Sequence, residues 1–224
     1  DHGTSRGLGD VYKRQICGHT NNPIIVDADT GFGGLANVYK TVKDLEQVGA
    51  SAVILEDQIF PKRCALTKKV KLLDLKKFEK KIKTAIKASK ENNNILIFAR
   101  TDALSAGSIK ESIKRAKMFK KLGAHAVFIT GINTLREIKF IKQKLKRIPL
   151  IINITQDIKF NISDIKKSDF KLILYSQQLL NSYIDTVNAT LKLIKNNKNP
   201  KFKNKASDTL SLLNFKKYLS IENN

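Results

Sequence analysis

Three carboxylates dominate the chemistry open to this sequence: Asp27 and Asp29 in Val26-Asp27-Ala28-Asp29-Thr30-Gly31, and Glu56 in Leu55-Glu56-Asp57-Gln58. Each follows an apolar run, so the three are expected at the ends of two adjacent strands. Carboxylates packed together repel and raise one another's pKa values. A hard divalent cation relieves that repulsion, and Mg2+ takes few direct carboxylates while keeping several waters. The alternative is that they cap the following helices or pair with lysines. Arg100 closes the run Ile95-Leu96-Ile97-Phe98-Ala99, where an unpaired charge is costly. It is expected to meet a carboxylate, a metal-site acid or an anionic substrate. Lys62, Arg63 and Cys64 form a loop after the Glu56-Asp57 strand end. A thiol beside two cations at an open mouth has a lowered pKa and can serve as acid or base; the alternative is a buried structural cysteine. His19 and His125 have no Ser, Cys or Asp at a triad-like spacing, and His125 reads as a turn residue.

The elements that must position these groups alternate in kind. Near-continuous apolar runs at Ile24–Asp27, Ala52–Leu55, Ile95–Ala99, Ala126–Ile129, Leu150–Ile154 and Lys171–Tyr175 read as strands buried on both faces of a parallel sheet. Between them lie stripes spaced by three and four residues: Val38, Val42, Leu45 and Val48; Leu75, Phe78, Ile82 and Ile86; Ile109, Ile113, Ala116 and Phe119. A further stripe, Ile184, Val187, Leu191 and Ile194, follows the last strand. Repeating βα units predict a parallel α/β fold. Nearly every strand ends in a polar group, including Asp102, Thr130, Asn153, Thr155 and Ser176. That pattern suits a βα (TIM-type) barrel, whose strand ends converge on one mouth. A doubly wound sheet would instead carry a G-x-G-x-x-G turn, which Asp29-Thr30-Gly31-Phe32-Gly33-Gly34 is not. Six of the eight strands of such a barrel are visible; the first two are expected to be missing from this chain, before Ile16.

Composition sets the outer bounds. The chain has 224 residues, 42% of them hydrophobic, enough for one sizeable core. No run of about 18 apolar residues occurs, so no membrane span is expected. Two cysteines, Cys17 and Cys64, build no disulfide framework, and the absence of a leader pattern adds to the expectation of a reducing, cytoplasmic location. Lys and Arg total 42 against 20 acidic residues, a net charge of +22. The excess is spread lysine among many asparagines, without the aromatic-rich basic modules that stack bases, so a nucleic-acid role is not expected. Residues 1–15 share neither the periodicity nor the Lys/Asn character and read as a non-native scar. Residues 16–196 are expected to form a partial barrel domain. Residues 197–224 read as a basic linker with a short amphipathic piece at Leu210–Tyr218.

Residues 23–64, with their D-A-D-T-G-F-G, E-D-Q and P-K-R-C pieces, resemble the isocitrate lyase and phosphoenolpyruvate mutase superfamily. Ala99–Ala103 (ARTDA), the PLIINIT strand and the FKLILYS segment extend the resemblance over residues 20–195. It implies a βα barrel that binds Mg2+ and breaks or rearranges bonds next to an α-oxo acid. By resemblance, Asp29 is the direct metal ligand and Asp27 and Glu56 hold metal-bound waters. Arg100 meets the substrate carboxylate or the developing enolate oxygen. Lys62 and Cys64 lie on a mobile loop, with Cys64 protonating the carbanion-like product. Gly31, Arg100, Asn153 and Thr155 are the expected substrate-binding set. Two departures from the lyase pattern stand out: Ala65-Leu66 replaces Gly-His after Cys64, and Thr130-Gly131 replaces a glutamate-containing turn. The expected function is a Mg2+-dependent carbon–carbon lyase, resembling 2-methylisocitrate lyase, that cleaves a 2-hydroxy di- or tricarboxylate to an α-oxo acid and a second carboxylate. The competing readings are a mutase or phosphonopyruvate-hydrolase type of phosphonate enzyme, and a decayed basic binding protein. The expected partners are a small anionic carboxylate or phosphonate substrate and further copies of the chain in a homo-oligomer.

Overall fold

The computed structural model describes residues 12, 15–63, 70–92, 94–155, 158–213 and 221. Cys64 and most of the segment 1–15 lie outside the described residues. The chain divides into two compact units, Asp1–Ser176 and Gln177–Asn224.

All six expected strands are present in the first unit: β1 (Ile25–Asp27), β2 (Ala52–Glu56), β3 (Leu96–Thr101), β4 (Ala126–Ile129), β5 (Leu150–Ile154) and β6 (Leu172–Tyr175). They pair in parallel and in sequential order, β1 through β6. The intervening helices are α1 (Leu35–Gln47), α2 (Leu75–Lys90), α3 (Ile109–Lys121), α4 (Leu135–Lys144) and α5 (Ile162–Lys167). The sequence explains where three of them start. Asp74 caps α2 by accepting from the Lys76 and Lys77 amides, and Ser108 caps α3 by accepting from the Glu111 amide. Thr134 and Glu137 close a reciprocal box at the start of α4.

Strand alternation splits the core in two. On the helix-facing side, Val53 and Leu55, Ile97 and Ala99, Val127 and Ile129, and Ile152 and Ile154 pack against Val38, Val42 and Leu45 of α1 and Phe78, Ile82 and Ile86 of α2. Phe78 and Phe119 of α3 meet edge to face with ring centroids 5.3 Å apart. On the other side Ile54, Ala126, Phe128 and Ile151 form a second cluster, joined by Ile25, Phe98, Leu172 and Leu174. Side chains from all six strands therefore meet on one face. That shared inner face, on a parallel sheet in sequential strand order with its helices on the other side, is the arrangement of the barrel expected from the sequence.

That parity also fixes the site. Continuing each inward-facing series by one step of two residues leads from Ile25 to Asp27, Ile54 to Glu56, Phe98 to Arg100 and Ile151 to Asn153. The polar residues stand directly beyond the inner apolar layer, at the C-terminal ends of the strands.

The second unit contains α6 (Gln178–Lys195) and α7 (Ala206–Leu212). The expected stripe of Ile184, Val187, Leu191 and Ile194 lies on α6, which buries none of its residues, and Ile184, Leu191 and Ile194 are exposed. The expected terminal amphipathic piece begins inside α7; its continuation over 214–220 lies outside the described residues. Among the described residues no helix is long and apolar enough to cross a membrane.

Candidate active site

The β2–β3 register makes Glu56 and Arg100 direct cross-strand partners. Arg100 Nη2 lies 3.2 Å from Glu56 Oε2, and Nη1 lies 3.4 Å from Asp27 Oδ2 on the next strand over. The guanidinium is anchored from behind by Asp102, which accepts from Nε at 2.9 Å and Nη2 at 3.2 Å, and it stands over the Phe128 ring at 5.5 Å. Burial works against its charge, but Asp102, Glu56 and Asp27 raise its pKa further above the ordinary arginine value. The expectation that Arg100 meets carboxylates is met three times over.

Asp29 sits one turn past β1 with φ 50°, in the left-handed region. Its amide donates to Asp27 Oδ1 at 3.0 Å, and its carbonyl accepts from the Glu56 amide at 2.8 Å. The turn thus holds Asp29 beside the end of β2. From α2, Lys81 Nζ adds a hydrogen bond to the Thr30 carbonyl at 2.7 Å. Gly31 also has a positive φ, 82°, and a Cβ there would come within 2.5 Å of Val38 Cγ2. The closeness of the turn to α1 demands glycine here, whatever Gly31 contributes to a ligand.

Lys62 joins these pieces. Its ammonium pairs with Asp29 Oδ1 and lies 3.6 Å from Glu56 Oε1. Burial would lower the Lys62 pKa, but the bond to Asp29 and the charges of Glu56, Asp29 and Asp27 raise it above the usual lysine value. Glu56 is fully buried, and burial pushes its pKa up to about 7, against Arg100 and Lys62 and with Asp102 and Asp27. Its contacts to the two cations are ion pairs without hydrogen-bond alignment. Among the described residues neither Glu56 oxygen accepts a hydrogen bond, although a buried unsatisfied polar group costs about 1–3 kcal/mol.

Asp102, legible in the sequence only as a polar strand end, is the hub of the site. Besides Arg100 it accepts from Gln58 Nε2 and from Thr130 Oγ1, and Gln58 Oε1 in turn accepts from the Arg63 amide at 3.0 Å. Asp57, one residue on from Glu56 and so facing the helices, accepts from the Asp102 amide at 2.9 Å and from Arg115 Nη1 of α3 at 3.1 Å. Burial raises the Asp57 pKa despite the bonds from Thr101 and the Asp102 amide and the charge of Arg115. The inward–outward–inward order of Glu56, Asp57 and Gln58 was readable as strand parity; the bonds of Asp57 and Gln58 to Asp102 were not.

Asn153 and Thr155 lie at the end of β5 and, among the described residues, do not join the Arg100 network. His125 is a turn residue as expected: its amide donates to the Ile97 carbonyl at 2.9 Å, and its Nδ1 accepts from the Ile97 amide at 3.0 Å.

The profile of a family described as Phosphoenolpyruvate phosphomutase matches residues 11–195. The chain belongs to that family. Family membership agrees with the sequence resemblance and with the parallel βα architecture. The chain is similar to 2-methylisocitrate lyase of Aeropyrum pernix, with 33% identity over 156 residues, covering 68% of this chain and 49% of that protein. It spans about half the length of the curated relatives it matches. Among solved structures, oxaloacetate acetylhydrolase in complex with 3,3-difluorooxalacetate superposes with a TM-score of 0.88 at 22% identity, over 96% of this chain and 75% of that one. Phosphonopyruvate hydrolase in complex with oxalate and Mg2+ does so with a TM-score of 0.83 at 24% identity, over 96% and 77%. These structural likenesses bear on the fold.

The donor set can be tested against a divalent cation. Among the described residues no three His, Cys, Asp or Glu side chains converge into a ready metal cage. Mg2+ does not require one, because it keeps most of its water shell. Two features fit it: a buried Glu56 carboxylate whose oxygens accept no hydrogen bond, and an ammonium already held against Asp29 and Glu56, where positive charge is needed.

Proposed function

We propose that this chain carries a Mg2+-dependent lyase site that cleaves a 2-hydroxy di- or tricarboxylate to an α-oxo acid and a second carboxylate. The observation that carries the reading is Arg100: an anchored guanidinium, beyond the inner apolar layer, whose partners Asp27 and Glu56 also border the cation position. The names of the similar proteins, 2-methylisocitrate lyase and 2,3-dimethylmalate lyase, support the reaction class.

In this reading Asp29 is the direct cation ligand, with Asp27 and Glu56 holding its waters. The cation, when bound, supplies positive charge to the oxo-acid oxygens. Arg100 binds the substrate carboxylate and faces the oxygen on which enolate charge develops; Asp102, locked by Gln58 and Thr130, keeps its guanidinium from reorienting as that charge appears. In the inner layer, buried Phe128 and Ile151 with partly buried Phe98 beside them keep water from beneath the site. Gly31, Asn153 and Thr155 complete the substrate contacts, and Lys62 offers a second positive group to an anionic substrate. Cys64 returns a proton to the carbon released as a carbanion equivalent.

The test is oxo-acid formation from 2-methylisocitrate, 2,3-dimethylmalate and isocitrate, each with Mg2+ and with chelator. Metal-dependent release of pyruvate or glyoxylate supports the reading; no release from any of them counts against it. A phosphonate enzyme is the second reading, favoured by the family description itself and by Thr130-Gly131, whose hydroxyl serves Asp102 rather than presenting an acid. Phosphorus NMR on phosphonopyruvate with Mg2+ distinguishes the two. Localisation in the cytoplasm and assembly with further copies remain part of this proposal.

A further inference from the structure

We infer that Lys62 is an internal counter-ion of the cation site: its ammonium occupies the Asp29–Glu56 carboxylate pair, and a divalent cation binds there only as Lys62 leaves. This rests on the reading that these carboxylates take a divalent cation.

A single ammonium touches carboxylates from two different segments, Asp29 after β1 and Glu56 at the end of β2. The Glu56 amide is bonded to the Asp29 carbonyl at 2.8 Å, so the main chains that carry the two carboxylates are tied together and the ammonium fills the place between them. Of the two positive groups at the pair, Arg100 is fixed by two bonds to Asp102. Lys62 is the group free to go: it is one-third exposed and follows Ile59 and Phe60, which are also exposed. On the Glu56 side the ammonium makes no hydrogen bond, so acceptor capacity there is unused. Gln58 holds the segment at the Arg63 amide, which lets the Lys62 side chain swing while the backbone stays attached. Ammonium and cation thus compete for one place, and the apparent dissociation constant is the intrinsic one divided by the undocked fraction. Lys62 docked about 90% of the time weakens the cation about tenfold.

The test is binding of Mn2+, as a paramagnetic stand-in, to the full chain at fixed pH and ionic strength, with free Mn2+ read by electron paramagnetic resonance. Lys62→Met and Lys62→Gln are expected to bind at least about tenfold tighter than the unaltered chain. Arg63→Met, which removes an exposed charge with no ion pair to Asp29 or Glu56 among the described residues, is expected to change binding by less than about threefold, since unpaired exposed charges act weakly through water. Unchanged or weaker binding in both Lys62 variants, with the unaltered chain binding Mn2+, overturns the inference and leaves the cation site standing. An equal gain from Arg63→Met overturns it too, because general charge would then explain the effect. If neither the unaltered chain nor either Lys62 variant binds Mn2+, the cation site itself is wrong and the inference falls with it.

Discussion

Glu56 and Arg100 are cross-strand partners with charged groups 3.2 Å apart, and yet Glu56 accepts no hydrogen bond among the described residues. A stability-optimised core would not keep a fully buried carboxylate in that state. Unspent acceptor capacity at a strand end, facing a guanidinium and an ammonium, marks a position shaped for a ligand.

Glu56→Gln should therefore stabilise the unliganded protein, because an amide avoids burying a charge while Arg100 keeps Asp102 and Asp27. The expected gain is about 1–3 kcal/mol, or roughly 2–12 °C in the melting midpoint for a domain of this size. The same variant should lose divalent-cation binding. A lower midpoint would show that Glu56 is a structural ion-pair partner instead.

Arg115→Met should be among the most destabilising changes away from the mouth. It leaves Asp57, fully buried, without its 3.1 Å partner, and breaking a buried pair on one side costs about 3–5 kcal/mol. Asp57→Asn in the same chain should recover part of that loss, since the stranded charge is gone. Urea unfolding of the single and double variants measures both effects.

The strands were legible because each is a continuous apolar run, and the inner-face parity of Asp27, Glu56 and Arg100 follows once the strands are set. Helices α4 and α5 were not. In α4 only Ile138 and Ile141 are buried, and α5 has six residues, too few to show a periodic stripe. The stripe in α6 was legible, but periodicity reports an apolar face and not what covers it. Asp102 was visible only as one more polar strand end; its role depends on Gln58, Arg100 and Thr130 arriving from three strands. The pairing of Lys62 with Asp29 likewise joins distant positions that no local pattern links.

Gly31→Ala should destabilise by about 1–3 kcal/mol, since it places a side chain at a positive φ and drives a methyl to within 2.5 Å of Val38. In a Val38→Ala background, which carries its own cavity cost, adding Gly31→Ala should cost less than it does in the unaltered chain, because the clash is gone and only the backbone strain is left. Equal costs in the two backgrounds would remove the clash from the explanation.

His125 should impose a pH dependence at the acid side. Desolvation lowers its pKa below 6.5, and Lys120 and Lys90 push the same way. The unfolded chain then takes up a proton more readily than the folded one, so the contribution is present above pH 6.5 and is lost as pH falls below it. Urea midpoints between pH 5 and 8 should fall on the acid side less steeply in His125→Gln than in the unaltered chain; identical slopes would exclude His125 as the source.

The most direct single measurement is a thermal melt of the unaltered chain and of Asp29→Asn, each alone, with Mg2+, and with Mg2+ plus oxalate as a mimic of the pyruvate enolate. A ligand at about 100 times its dissociation constant adds roughly 2.7 kcal/mol, which raises the midpoint by roughly 5–11 °C. A cation-dependent site at Asp29, Glu56 and Arg100 requires that shift in the unaltered chain, only with metal present, and its loss in Asp29→Asn. A midpoint that oxalate moves without metal, or moves equally in both proteins, would contradict it.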